Sequence, residues 1–165
     1  MHSVSLVHIT PDAENLISYM ARVSNPSNQA NTETSAKLIS YLIKHKHWSP
    51  FEMVNVCLEI ETTRDMARQI LRHRSFSFQE FSQRYADPVQ ELTFERREAR
   101  LQDTKNRQNS IQTDDEELQR AWQVIQQNVI SEATMAYKWA IDKGIAKEVA
   151  RAVLPEGLTT SRMYV

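Results

Sequence analysis

Between positions 72 and 85 the chain reads RHRSFSFQEFSQRY. Three arginines, one histidine, three serines and one glutamate share these fourteen positions with four aromatic side chains. A guanidinium offers a rigid fork of donors matched to phosphate or carboxylate. Arg72, His73, Arg74 and Arg84 could therefore build an anion site, and the interleaved Phe76, Phe78 and Phe81 suit a planar ring carrying phosphate. The same pattern fits a solvated basic edge whose ion pairs add little stability, with the phenylalanines as core anchors. Glu80, Ser82 and Arg84 alternate, so an extended backbone points all three to one side. Such a row can read a sugar phosphate or a base edge, or form an opposite-sign surface cluster. Serine becomes a nucleophile only beside a base. Glu80 is two residues away and His73 could approach, yet nothing orders a triad, so Ser82 reads as a hydrogen-bond donor or loop cap.

Other reactive side chains are scattered. His45 and His47 stand two apart at a predicted helix end and read as a C-terminal cap. Zinc would need a further ligand, so no metal site is expected. Glu52, closing HKHWSPFE, sits at the mouth of a predicted strand. Cys57 lies inside that strand, where a small buried thiol is common. Arg151 is either a surface charge or one more member of the anion site.

The elements that must position these groups follow from periodicity. Val4 to Ile9 reads as a strand, and Thr10-Pro11 as the cap and first turn of a helix reaching Arg22, with Leu16, Ile17, Met20 and Val23 inward. A polar loop spans 25–31. A second helix covers about 32–46 on Leu38 and Leu42, and Trp48-Ser49-Pro50 stops it. Val54 to Thr62 alternates cleanly as a strand. Residues 63 to 72 turn helical, and Arg64, Arg68 and Arg72 recur every fourth position as a basic stripe. A loop and a short extended piece fill 75–85, and Leu92 to Phe94 suggests another strand. Residues 95–113 read as a mobile polar loop. Thr113 is the expected cap of a helix to Lys143, with Leu118, Trp122, Ile125, Val129 and Ala136 on its inner side and Gly144 ending it. A last helix spans about 145–154.

The whole chain narrows the function classes. At 165 residues it is one domain's worth, 1–165, with no repeat or linker. A net charge of -1 argues against a general nucleic-acid binder. No apolar run reaches a membrane-spanning length, and MHSVSLVHITPD lacks the pattern of a secretory signal. The single cysteine fits a reducing compartment, so a cytoplasmic location is expected. With only Gly144 and Gly157, neither a dinucleotide fingerprint nor a phosphate loop can form, and side chains must hold any nucleotide.

Taken together, the segments resemble the flavin-dependent thymidylate synthases. The signature of that family stands complete as Arg72, His73, Arg74, Ser77, Ser82, Arg84 and Tyr85. ARVS at 21–24, HWSPFE at 47–52, ARQILRHR at 67–74 and KEVARAVLP at 147–155 extend the likeness over nearly the whole chain. The resemblance implies an α/β (α+β) fold with a small mixed or antiparallel sheet and long helices. It implies a homotetramer that methylates dUMP to dTMP, with FAD as cofactor, methylenetetrahydrofolate as carbon donor and NADPH as reductant. Residues matching family positions near FAD are Ser24, His47, Ser49, Glu52, Arg72, His73 and Arg74. Those near dUMP are Gln69, Arg72, Glu80, Ser82, Gln83, Arg84 and Arg151. Arg84, Ser82 and Arg72 are expected to position substrate and offset charge, with no protein nucleophile. The chain departs from the pattern at Gln79 and Met53, and it ends at TSRMYV where family members usually continue. Weak or absent activity of the 165 residues alone is therefore expected. A non-catalytic, oligomerising relative is the alternative, and a nucleic-acid binder using Arg64, Arg68, Arg72 and Arg74 a more distant one.

Overall fold

The computed structural model describes residues 2–165, which fall into two compact units. One comprises Val4–Glu59, the other Ile60–Val165 with His2 and Ser3.

In the first unit, β1 (Ser3–Ile9) lies beside the start of β2 (Val56–Thr63). Thr10 is not the helix cap that its position before Pro11 suggests. Its hydroxyl accepts from the Asn55 N–H at 2.9 Å, and its own N–H donates to the Asn55 carbonyl at 2.9 Å. The helix α1 (Ala13–Ala21) begins only after Asp12, whose φ of 52° lies in the left-handed region. Its inner face is Ile17 and Ser18, while Met20 and Val23 are exposed. Leu42 is the buried apolar residue of α2 (Ser35–Lys44). Polar groups complete this small core: Ser35 donates to Asn15 Oδ1 at 2.8 Å, and Ser18 to the Ser35 carbonyl at 3.4 Å.

In the second unit, the rest of β2 neighbours β6 (Thr160–Tyr164), which pairs antiparallel with β3 (Gln79–Glu80). The register sets Gln79 against Tyr164 and Glu80 against Met163. Two short helices, α3 (Arg64–Ile70) and α4 (Pro88–Glu91), flank the region, and Asp87 caps α4 by accepting from the Val89 and Gln90 N–H groups. Leu92 to Phe94 is not a strand, since only one bridge, Phe94 to Thr159, forms there. The expected loop at 95–113 contains a hairpin of β4 (Arg100–Gln102) and β5 (Ser110–Gln112), with Asp103 accepting from the Lys105 and Asn106 N–H groups in its turn. These bonds, with one from Asn109, hold the Asp103 carboxyl below its ordinary value.

The long helix α5 (Glu116–Asp142) is capped by Asp115, which accepts from the Leu118 N–H at 2.9 Å, rather than by Thr113. It buries Gln126, Ile130, Ala133, Tyr137 and Ala140, not the bulkier row on Leu118, Trp122, Ile125 and Val129. The reason is polar. Gln126 accepts from the Arg97 N–H at 2.7 Å and returns a bond to the Arg97 carbonyl at 2.8 Å. Gln119 does the same for Ala99, at 2.8 and 2.9 Å. Seven residues are about two helical turns and two residues are one strand repeat, so the side chains and backbone groups meet in step. The helix thus pairs an otherwise unpaired segment, as buried backbone requires. Tyr137 and Ala140 continue this face into a core with Ala150 of α6 (Lys147–Ala150) and Leu154.

Candidate functional site

The segment at 72–85 hangs between α3 and α4, and its neighbours decide which charges are free. Arg64, on α3, is only 5% exposed. Its Nε lies 3.1 Å from Glu156 Oε1 and its Nη1 3.5 Å from Glu80 Oε1. Arg68 Nε reaches Glu156 Oε2 at 2.8 Å. The hydrogen bond from Arg68, reinforced by Arg64, holds the Glu156 carboxyl below its ordinary value against the opposing effect of burial. The expected basic stripe is therefore neutralised over its first two members. Nearby, burial would raise the Asp65 carboxyl, but hydrogen bonds from Thr63 and Arg97 hold it lower.

Beyond Ile70 the helix ends and the signature begins. Arg72, His73 and Arg74 are exposed. The His73 ring stacks on Phe76 with centroids 3.8 Å apart and planes 8° from parallel, and Phe78 meets Phe76 edge-on. Ser75 N–H donates to His73 Nδ1 at 3.3 Å. Gln79 and Glu80 then enter β3. Ser161 of β6, itself buried, donates to Glu80 Oε1 at 2.8 Å. Both this bond and the Arg64 contact fall on the same oxygen.

A cavity of about 490 Å³ opens here, lined by Glu80, Phe81, Ser82, Tyr85, Arg162 and Tyr164. Glu80 and Ser82 thus come together as their spacing foretells. Arg84 does not share their row, because the extended run stops and Ser82–Tyr85 forms a turn, Tyr85 N–H donating to the Ser82 carbonyl at 3.1 Å. Gln83 points inward, 3% exposed, with no partner for its Nε2 among the described residues. Gln69 is exposed on the last turn of α3. Arg151 is half-buried, its Nε donating to the Glu148 carbonyl at 3.2 Å. Among the described residues, Ser82 Oγ has no hydrogen-bond partner.

One contrast organises the arginines. Arg64, Arg68, Arg97 and Arg162 all close ion pairs. Among the described residues, the side chains of Arg72, Arg74 and Arg84 meet no carboxylate within 4.0 Å and no hydrogen-bond acceptor. Arg96 and Arg107 are also unpaired among the described residues, but neither lies within the 72–85 segment. Three unneutralised guanidinium groups, a stacked imidazole and a cavity bearing a carboxylate and a hydroxyl suit a phosphorylated ligand with a polar planar ring.

In the other unit, Ser24 follows α1, His47 follows α2, and Ser49 and Glu52 lie in the 3-10 turn Ser49–Met53. All four side chains are exposed. His45 packs on Tyr41, with ring centroids 4.2 Å apart.

Residues 5–165 match the family described as thymidylate synthase complementing protein. The chain is 50% identical over 149 residues to a probable flavin-dependent thymidylate synthase of Paramecium bursaria Chlorella virus 1, covering 90% of this chain and 68% of that one. It is equally similar, over 152 residues, to the flavin-dependent thymidylate synthase of a Synechocystis strain, covering 92% and 68%. The chain belongs to the flavin-dependent thymidylate synthase family. It spans half the length of the Thermus thermophilus member, to which it is 38% identical over 142 residues. Its fold is similar to that of a UMP/dUMP methylase, PolB from Streptomyces cacaoi, solved with 5-Br dUMP bound: TM-score 0.79, 25% identity, 99% of this chain and 71% of that one. The mixed α/β architecture with an antiparallel sheet and long helices is thus the fold of this thymidylate synthase family.

Sequence reasoning missed the partners that hold Glu80. Arg64 counted only as part of a stripe, and β6 was not foreseen. Its period shows only in the fold: Ser161 and Met163 are buried while Arg162 and Tyr164 are not, whereas the residue types of TSRMY do not alternate in polarity.

Proposed function

We propose that this chain is a thymidylate synthase that methylates dUMP to dTMP, with FAD as cofactor, methylenetetrahydrofolate as carbon donor and NADPH as reductant. The 165 residues belong to one synthase domain, which works within a homotetramer in the cytoplasm. The observation that carries this reading is the unpaired set Arg72, Arg74 and Arg84, bracketing in sequence the cavity-lining Glu80 and Ser82. The PolB structure, solved with a brominated dUMP, supports the substrate class.

Arg84 and Arg72 would bind the nucleotide and offset negative charge developing on the uracil ring. Ser82 would donate to the substrate, and Glu80, held through one oxygen, would offer the other as an acceptor. Gln69, Gln83 and Arg151 complete the proposed dUMP set. FAD fits the remaining donors by type: Arg72 and Arg74 for its phosphates, and His73, its ring already stacked on Phe76, for a flat surface. Ser24, His47, Ser49 and Glu52 would supply the other contacts. When bound, FAD supplies the hydride chemistry, while these side chains bind and orient.

The test is dTMP formation by the purified chain supplied with dUMP, FAD, methylenetetrahydrofolate and NADPH. Turnover that falls roughly 100-fold or more in Arg84→Ala supports the reading. Turnover unchanged in Arg84→Ala contradicts it. A second reading, an assembling protein without turnover, draws on the exposed Trp122, Ile125 and Trp139 of α5. A stable oligomer that binds no FAD and makes no dTMP would favour it.

A further inference from the structure

A second cavity, lined in part by cationic side chains, lies within residues 4–59. A cavity of about 430 Å³ is lined by Arg22, Asn25, Asn28, Thr34 and Lys37, with Leu38 and Tyr41 as its less polar wall. Arg22 is only 7% exposed. Its guanidinium donates to the Asn31 carbonyl and, at 2.8 Å, to Thr34 Oγ1, and it meets no carboxylate among the described residues. Burying a charge without a counter-charge is costly, so a buried guanidinium facing a cavity is suited to an anion.

The rest of the lining points the same way. Asn25 Oδ1 is occupied by the Ser27 hydroxyl at 3.2 Å, and Asn28 Oδ1 by Asn31 Nδ2 at 2.9 Å. Thr34 Oγ1 is occupied by Arg22. The acceptors of this wall are thus engaged locally. The donors that remain, Nδ2 of Asn25 and Asn28 and Nζ of Lys37, have no partner among the described residues. The N-terminus of α2 opens at Thr34 without a side-chain cap, which adds partial positive charge. The nearest acid in sequence, Glu33, is exposed and does not line the cavity.

We propose that this cavity binds a phosphate monoester of a small organic molecule. The donors take the phosphate, and Leu38 and Tyr41 take the organic body. A volume of about 430 Å³ is in the range of small-molecule sites and generous for a lone inorganic ion. The inference is independent of the synthase reading, since none of these residues belongs to the set proposed for dUMP or FAD.

The experiment is a heteronuclear NMR titration of the whole 165-residue chain with ribose 5-phosphate and, separately, inorganic phosphate at fixed ionic strength. Saturable shifts are expected at the side-chain amides of Asn25 and Asn28 and the backbone amides of 34–38. Ribose 5-phosphate should bind roughly tenfold more tightly than inorganic phosphate. Lys37→Glu and Asn28→Asp should each weaken it by about tenfold while the remaining spectrum is preserved. Both sites are more exposed than Arg22, so these variants spare the buried contact to Asn31. Shifts that grow without saturation, saturable shifts confined to 72–84, or unchanged affinity in both variants would each overturn the proposal. Equal affinity for the two ligands would overturn the monoester assignment.

Discussion

At the scale of single residues, what distinguishes one arginine from the next is whether a carboxylate has already claimed it. Glu156 claims Arg64 and Arg68 together. Its folded carboxyl is depressed, so its contribution is present above the ordinary value of 4.5 and is lost as pH falls through the lower folded value. Glu156→Gln should therefore cost stability at pH 7, roughly 1–3 kcal/mol between the exposed and buried limits. It should also flatten the decline in stability below pH 4.5, as followed by urea melts across pH. Tyr137 makes the opposite case. Its ring is fully buried and its hydroxyl has no partner among the described residues, while burial and the nearby Asp87 push its ionisation to higher pH. Tyr137→Phe should leave stability unchanged or raise it by about 1 kcal/mol, because an unsatisfied buried hydroxyl is removed. The signature residues were legible in the sequence because they are contiguous and unusual in type. Which arginines are neutralised was not, since Glu156 is 92 positions from Arg64.

At the scale of elements, local signals held where backbone chemistry is local. Gly144 adopts φ +76° and ends α5 as the sequence indicates. A β-carbon at this position would meet nothing within 4 Å, so Gly144→Ala should cost only the left-handed backbone, about 1 kcal/mol in a thermal or urea melt. Asp115→Ala should remove the α5 cap at a similar cost of about 1 kcal/mol. The face of α5 was not legible, because helix periodicity rewards its apolar row while the buried row carries glutamines. Gln126→Leu keeps the volume but strands the Arg97 N–H, while the Arg97 carbonyl keeps Gln123 as a donor, and a loss of roughly 2 kcal/mol in the same melts is expected. The hairpin at 100–112 was hidden for a related reason: short polar strands lack the alternation that marks β2.

At the scale of the whole molecule, α5 leaves Trp122, Ile125, Val129 and Trp139 exposed, more apolar surface than isolated residues explain. Among the described residues, no helix is long and apolar enough to cross a membrane. Such surface instead suits subunit contacts, and a mass in solution above 19.2 kDa is expected at micromolar concentration by light scattering. The central claim, that free guanidinium groups of the signature make a nucleotide site, is tested most directly by calorimetry of dUMP binding to the FAD-supplemented chain. Deoxyuridine serves as the ligand without phosphate, and Arg84→Ala as the variant. The account predicts measurable dUMP binding that weakens by roughly tenfold or more when either the phosphate or the Arg84 guanidinium is removed. Equal affinity of Arg84→Ala and the unaltered chain for dUMP would contradict it.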